Sequence, residues 1–269
     1  MDAAPERSTA RPATAARIYD YLLGGVHNFP ADREVAQKVI AGMPSVRTAA
    51  RANRAFLGRA VRYLVGEGID QFIDIGSGIP TEGNVHEIAH QVNPQVNVVY
   101  VDIDPLAVAE SLDVLEGDPR ATAVCADLRQ PGTILAHPEI NRLIDLSRPA
   151  GLILNAVLHF IPDDDQAYGA VTLLQAALVP GSYVVLSHGA TEGAPRAEFP
   201  SMERAYDQKT MTGSAKPRDR DEVARFVTGW DLVEPGIVWL SEWRPDPGQP
   251  PAVEDPMISG GWAAVARKP

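Results

Sequence analysis

The chain has 269 residues, 45% of them apolar and 22% charged, so it can bury a large core as a soluble globular protein. Its formal charge of -11 and pI near 5.0 argue against nonspecific binding to nucleic acid, which depends on Lys and Arg displacing counterions. No apolar run reaches 18 residues and residues 1–12 lack an apolar centre, so neither a membrane-spanning helix nor a secretory leader is expected, and the expected compartment is the cytoplasm. One cysteine, Cys125, leaves no intrachain disulfide; it ends an apolar run and is expected to be a small buried residue.

In chain order, residues 1–12 read as a loose arm. A helix is predicted over 13–23, stopped by Gly24 and Gly25, and another over 32–41, stopped by Gly42. From Val46 a third helix carries Ala49, Ala50, Phe56, Leu57, Ala60, Val61 and Leu64 at spacings of three and four, with Arg47, Arg51, Arg54 and Arg62 on the opposite side. Asn53 falls on the apolar side, where its amide needs a partner, either a bound ligand or a neighbouring backbone group. From Ile69 short apolar runs at 72–75, 96–101, 122–125, 151–156 and 183–187 alternate with helical stretches, the sequence form of a parallel sheet with crossover helices. Thr81, Pro105 and Asp163–Asp165 are the expected starts of those helices. Beyond Gly189, prolines and glycines predict a cover over 189–218 with a helix at 201–209, and 230–234, 237–243 and 261–266 predict further strands. The expected division is a helical extension or lid over 13–66 and a sheet domain over 67–269.

The runs FIDIGSG and VVYVDIDP each end a strand in an acid, placing Asp74 and Asp102 at adjacent strand ends. In a doubly wound sheet, ligands lie across those ends, where a glycine turn admits them and the second acid can hold ribose hydroxyls. GSGIPT supplies Gly76 and Gly78 but no third glycine, which weakens a dinucleotide reading, and no Lys follows to make a P-loop. Asp74, two residues before the first glycine, suits an ammonium group and would repel a pyrophosphate. S-adenosylmethionine has that ammonium and a sulfonium besides. Ile103 is the expected adenine face; Asp127 can accept the adenine amino hydrogens or be a plain loop acid, and Asp102 can instead serve a helix cap. Asn155 stands where a strand-end side chain faces the crevice. No spacing suggests a metal site.

The segments ARIYDYLLGGVHNFPADRE, FIDIGSGIPTEGNVHE, VVYVDIDP, CADLRQP, AVLHFIPDDD and LVPGSYVVLSH together resemble an actinobacterial family of S-adenosylmethionine-dependent methyltransferases formerly catalogued as a domain of unknown function. The resemblance spans 16–269. It implies an α/β fold: a Rossmann-like doubly wound sheet of about seven strands, mostly parallel with an antiparallel C-terminal strand, behind an N-terminal helical extension. It also implies that Asp74, Gly76 and Gly78 form the first cofactor motif, Asp102 the ribose acid, Asp127 with Leu128 the adenine contact, and Asn155 the residue near the sulfonium. In the opening segment, Tyr19, Asp20, Tyr21, Gly24, Gly25, His27 and Asn28 have the composition of a lid, with Tyr21 and Gly24, like Asn53, as cofactor contacts; the same residues can be an ordinary helix end.

Methyl transfer from a sulfonium mainly requires alignment and exclusion of water. Where a base is needed, His27, His86, Glu87, His159, His188 and Tyr206 are available, and His159 and His27 are preferred, although a histidine flanked by Leu158 and Phe160 is as readily a wall residue. The expected activity is methylation of a small-molecule acceptor, giving S-adenosylhomocysteine. The alternative is a protein that binds the same cofactor or product without catalysis. Nucleic-acid methylation would need a basic stripe from Arg47, Arg51, Arg54, Arg59 and Arg62, which also reads as a solvated helix face.

Overall fold

A computed structural model describes residues 12–80, 83–192, 215–248 and 253–269. Three helices lead the fold: α1 (Ala15–Leu23), α2 (Pro30–Gly42) and α3 (Val46–Gly66). Ile18 and Leu22 bury one stripe of α1 against Val35, Ala36 and Val39 of α2 and Ala50 of α3. Gly24 ends α1 in the left-handed region at φ +90, its N–H donating to the carbonyls of Asp20 and Tyr21, so the glycine pair begins as a helix stop.

Strands and helices then alternate: β1 (Gln71–Ile75), α4 (Val85–Val92), β2 (Asn97–Asp102), α5 (Pro105–Val114), β3 (Ala121–Cys125), α6 (Pro131–Leu135), α7 (Pro138–Leu143), β4 (Gly151–Asn155), α8 (Asp164–Ala176) and β5 (Tyr183–Gly189). Three more strands follow, β6 (Asp231–Leu232), β7 (Val238–Trp239) and β8 (Gly261–Arg267). The sheet has eight strands, in the order β3-β2-β1-β4-β5-β8-β6 with β7 also on β8. The first five are parallel, whereas β8 runs antiparallel to β5, β6 and β7. The expectation of about seven strands is thus met and exceeded by one, because 230–243 forms two short pairings with β8. Strand order reverses direction between β1 and β4, which opens a crevice at their carboxyl ends.

Alternation along the strands makes two layers. Ile73, Ile75, Val99, Val101, Leu152 and Leu154 bury one face with Ile134 of α6, Ile140 of α7 and Val171 of α8. Phe72, Val98, Tyr100, Ile153 and Val185 bury the other with Phe56, Leu57, Ala60, Val61 and Leu64 of α3. The third helix is therefore built into the sheet's own core.

Other expectations change in detail. The helix after the glycine turn starts at Val85 behind Asn84, with Glu87 accepting from the Gly83 and Asn84 N–H groups; Thr81 lies outside the described residues. Cys125 is exposed rather than buried: it is the last residue of β3, which among the described residues is an edge strand of the sheet. The arm over 1–11 and the helix over 201–209, with Met202 and Tyr206, also lie outside the described residues. Among those that are described, no helix is long and apolar enough to cross a membrane.

Candidate active site

The same alternation that buries Phe72, Tyr100, Ile153 and Val185 on the α3 face carries Asp74, Asp102, Asn155 and Ser187 onto that face at the strand ends. They line one cavity of about 320 Å³, together with residues of all three leading helices. Gly76 and Gly78 form its floor with φ +73 and +67, values that L side chains resist. At Gly76 a Cβ would also lie 2.3 Å from Cγ2 of Val157, so the turn passes under the β4 loop too closely for any side chain.

Asp102 is 8% exposed, with Oδ2 accepting from the Gly78 N–H at 2.7 Å and Oδ1 from the Asp104 N–H at 2.9 Å. Each oxygen keeps a second acceptor site, enough for two ribose hydroxyls. Burial raises its pKa, partly offset by those backbone hydrogen bonds. Asp74 is buried more completely, and desolvation pushes its pKa up to about 7, against the lowering influence of Arg54 and with a further rise from Asp102. A carboxyl held partly neutral beside a cavity must give up its proton to pair with a cation.

Ile103 leaves an apolar side chain 43% exposed at the cavity, and Leu128 lines it nearby. Asp127 also lines it, but its carboxylate is gripped by Arg129 Nε at 2.9 Å and Nη2 at 2.8 Å. Burial would raise the Asp127 pKa, and the Arg129 hydrogen bonds outweigh that and hold it low.

Asn53 and Asn155 meet through Ser187, a residue that sequence reasoning left out of the site. Tyr19 Oη donates to the Ala50 carbonyl at 3.0 Å, Asn53 Nδ2 donates to Tyr19 Oη at 2.9 Å, and Ser187 Oγ donates to Asn53 Oδ1 at 2.6 Å. The hydroxyl has one hydrogen, so the Asn155 amide, 2.8 Å away, must present its NH2 to Ser187 and turn its carbonyl oxygen elsewhere. Ser187 could have been found by strand parity, two residues beyond Val185. Ala156, next in line, is held at φ +56 with its N–H on Ser187 Oγ at 2.9 Å, a strained backbone at the cavity wall.

Tyr21, Gly24 and His27 do not reach the cavity. Two helical positions turn about 200°, so Tyr19 faces inward while Tyr21 points away and accepts from Gln37 at 2.6 Å. His27 is exposed, its Nδ1 3.1 Å from Glu110 Oε2. His86 hydrogen-bonds Tyr100 Oη at 2.7 Å, away from the cavity, and Glu87 is consumed in its cap. The arginines of α3 make no free stripe: Arg59 donates to the Trp243 and Leu240 carbonyls, Arg62 pairs with Asp246, and Arg54 lines the cavity next to Asn53.

His159 and His188 both line the cavity. His188 Nδ1 donates to the Gly189 carbonyl at 2.9 Å, so its Nε2 must accept from Arg218 Nη1 at 2.9 Å, and burial holds its pKa well below the usual histidine value. His159 has a buried Nδ1 without a hydrogen-bond partner, and burial together with the Arg218 charge lowers its pKa to about 4. Arg218, fully buried, also donates to the carbonyls of Leu158 and Ile161 and to Asp164 Oδ1, and so holds the loop that carries His159. No spacing in the sequence announces it, since its partners lie 30 to 60 positions away.

Strand order, the two left-handed glycines and a pair of strand-end acids over one cavity define a nucleoside-binding α/β enzyme of the methyltransferase class. The chain belongs to the S-adenosyl methyltransferase family, whose model matches residues 2–269, and its cofactor is S-adenosylmethionine. Among solved structures it is similar to a candidate methyltransferase from Thermobifida fusca YX, with 39% identity over 98% of this chain and 97% of that one and a TM-score of 0.88. A DUF574 family protein from Streptomyces avermitilis MA-4680 is likewise similar, with 40% identity over 96% of this chain and 98% of that one and a TM-score of 0.89. Among curated proteins nothing matches.

Proposed function

We propose that this methyltransferase binds its cofactor with the ribose on Asp102, the adenine between Ile103 and Leu128, and the ammonium toward Asp74, and that it methylates a small-molecule acceptor by in-line transfer. The observation that carries this reading is the convergence of Asp74 and Asp102 on one cavity floored by Gly76 and Gly78. Bound S-adenosylmethionine supplies an activated methyl group and a thioether leaving group. The protein then has to orient and to exclude water, and the Tyr19–Asn53–Ser187–Asn155 chain supports that task by fixing an amide carbonyl in one orientation at the end of β4. A cytoplasmic setting fits the free, exposed thiol of Cys125. Binding without catalysis is not favoured, because the family is one of transferases.

Asp102→Ala is expected to weaken cofactor binding by on the order of 10 to 100-fold through loss of two charge-assisted hydrogen bonds, about 1.5 to 3 kcal/mol. Calorimetry with S-adenosylhomocysteine reads this, and unchanged affinity would refute the ribose assignment.

Asp74 gives the site a pH dependence. Its folded-state pKa, about 7, lies above the ordinary carboxylate value, so its protonated form favours the empty fold at low pH and that contribution is lost as pH rises through 7. An incoming ammonium needs the carboxylate, so affinity should rise by roughly tenfold from pH 6 to pH 8, with one proton released on binding at the lower pH. Asp74→Asn should flatten the profile. A wild-type affinity that falls over this range would contradict the assignment.

A further inference from the structure

The cavity has two kinds of wall. Its charged lining, including Asp74, Asp102, Asp104 and Asp127, follows the ends of β1 to β3, where a cationic nucleoside fits. Beneath the leading helices its lining is Leu22, Val39, Met43, Val46 and Ala49, joined by Leu240, with no charged side chain among the cavity residues of α1, α2 or the first turn of α3. Gly260, also in the lining, comes close to this wall: a Cβ on it would lie 3.2 Å from Ala49 Cβ and 4.0 Å from Met43 Cε. Against these described residues a charged acceptor body would lose its hydration without a counter-charge, and an ammonium nucleophile would also meet the positive sulfonium.

His159 lines the cavity with its Nδ1 turned into the protein, buried and unpartnered, so Nε2 is the ring nitrogen left to face the cavity, whereas both ring nitrogens of His188 are taken, by Gly189 and by Arg218. Burial and the nearby guanidinium keep His159 neutral at pH 7, able to accept a hydrogen bond from a hydroxyl.

Resting on the methyltransferase reading, we propose that the acceptor is an uncharged molecule whose apolar body occupies the lobe beneath the leading helices and whose hydroxyl hydrogen-bonds to His159 Nε2. The acceptor oxygen gains the methyl as the carbon–sulfur bond breaks, with its electron pair staying on sulfur. The hydroxyl proton passes to Nε2, so positive charge leaves the sulfur as it arrives on the imidazole, and total charge in the buried site is conserved.

The test titrates 1-naphthol, naphthalene, 1-naphthoate and 1-naphthylmethylammonium into the protein saturated with S-adenosylhomocysteine. 1-Naphthol should bind at least about tenfold more tightly than either ion and about fivefold more tightly than naphthalene. His159→Phe should erase the advantage over naphthalene. Ala49→Phe, which fills the lobe, should weaken 1-naphthol at least about tenfold while leaving S-adenosylhomocysteine affinity within about threefold, which also shows that the variant is folded. The proposal is overturned if an ion binds as well as 1-naphthol, if the hydroxyl confers no advantage, or if 1-naphthol does not bind the loaded protein. Failure of S-adenosylhomocysteine itself to bind would be a separate result, sinking the cofactor reading and this one with it.

Discussion

Arg218→Ala should lower stability by about 3 to 5 kcal/mol, the cost of emptying a fully buried side-chain site and leaving the buried Leu158 and Ile161 carbonyls without their donor. The guanidinium is fully buried and serves five acceptor contacts: Asp164 Oδ1 through both Nε and Nη2, the carbonyls of Leu158 and Ile161, and His188 Nε2. It also lies 5.4 Å from the Phe226 ring and 5.7 Å from the Tyr168 ring, so truncation opens a void between aromatic walls. Arg218→Lys should recover little, since one ammonium cannot span this fork of partners. Chemical denaturation measures the loss; a change under 1 kcal/mol would show that the network contributes little to the fold. Because the Leu158–Ile161 loop carries His159, methyl transfer should fall in either variant even where folded protein persists.

Gly76→Ala is expected to cost about 2 to 4 kcal/mol, combining a left-handed backbone that disfavours any Cβ with overlap against Val157. The displaced turn would move the Gly78 N–H off Asp102 Oδ2, so S-adenosylhomocysteine affinity should drop at least about tenfold as well. Gly78→Ala separates the two causes. It shares the left-handed φ, yet its added Cβ would meet only Ala16 Cβ at 3.8 Å, an ordinary contact. It should therefore cost about 1 to 2 kcal/mol. Equal losses at the two positions would remove Val157 from the account.

The parallel core of the fold is legible because its strands are buried on both faces and read as nearly continuous apolar runs, as VVYV of β2 does. Strand-end acids are legible for the same reason, since a charge that closes such a run has only the crevice to face. The short helices α6 and α7 escape sequence reading because five or six residues carry too little periodicity, and only Pro131 and Pro138 mark their starts. β6 and β7, two residues each, exist by pairing with β8. The lid residues divide along a geometric line: composition singles out Tyr19 and Tyr21 alike, and only the helical phase set by Ile18 and Leu22 decides that Tyr19 faces the cavity. Ser187 is within reach of strand parity, whereas Arg218 depends on contacts across 30 to 60 positions, which local sequence does not encode.

We propose that the nucleoside cofactor lies across the ends of β1 and β2 with its sugar on Asp102, and a crystal structure of the protein soaked with S-adenosylhomocysteine decides it. Both ribose hydroxyls should lie within hydrogen-bonding distance of the Asp102 carboxylate, with the thioether sulfur turned toward Asn155 and the apolar lobe. A nucleoside bound elsewhere, or in this cavity with its ribose away from Asp102, would contradict it.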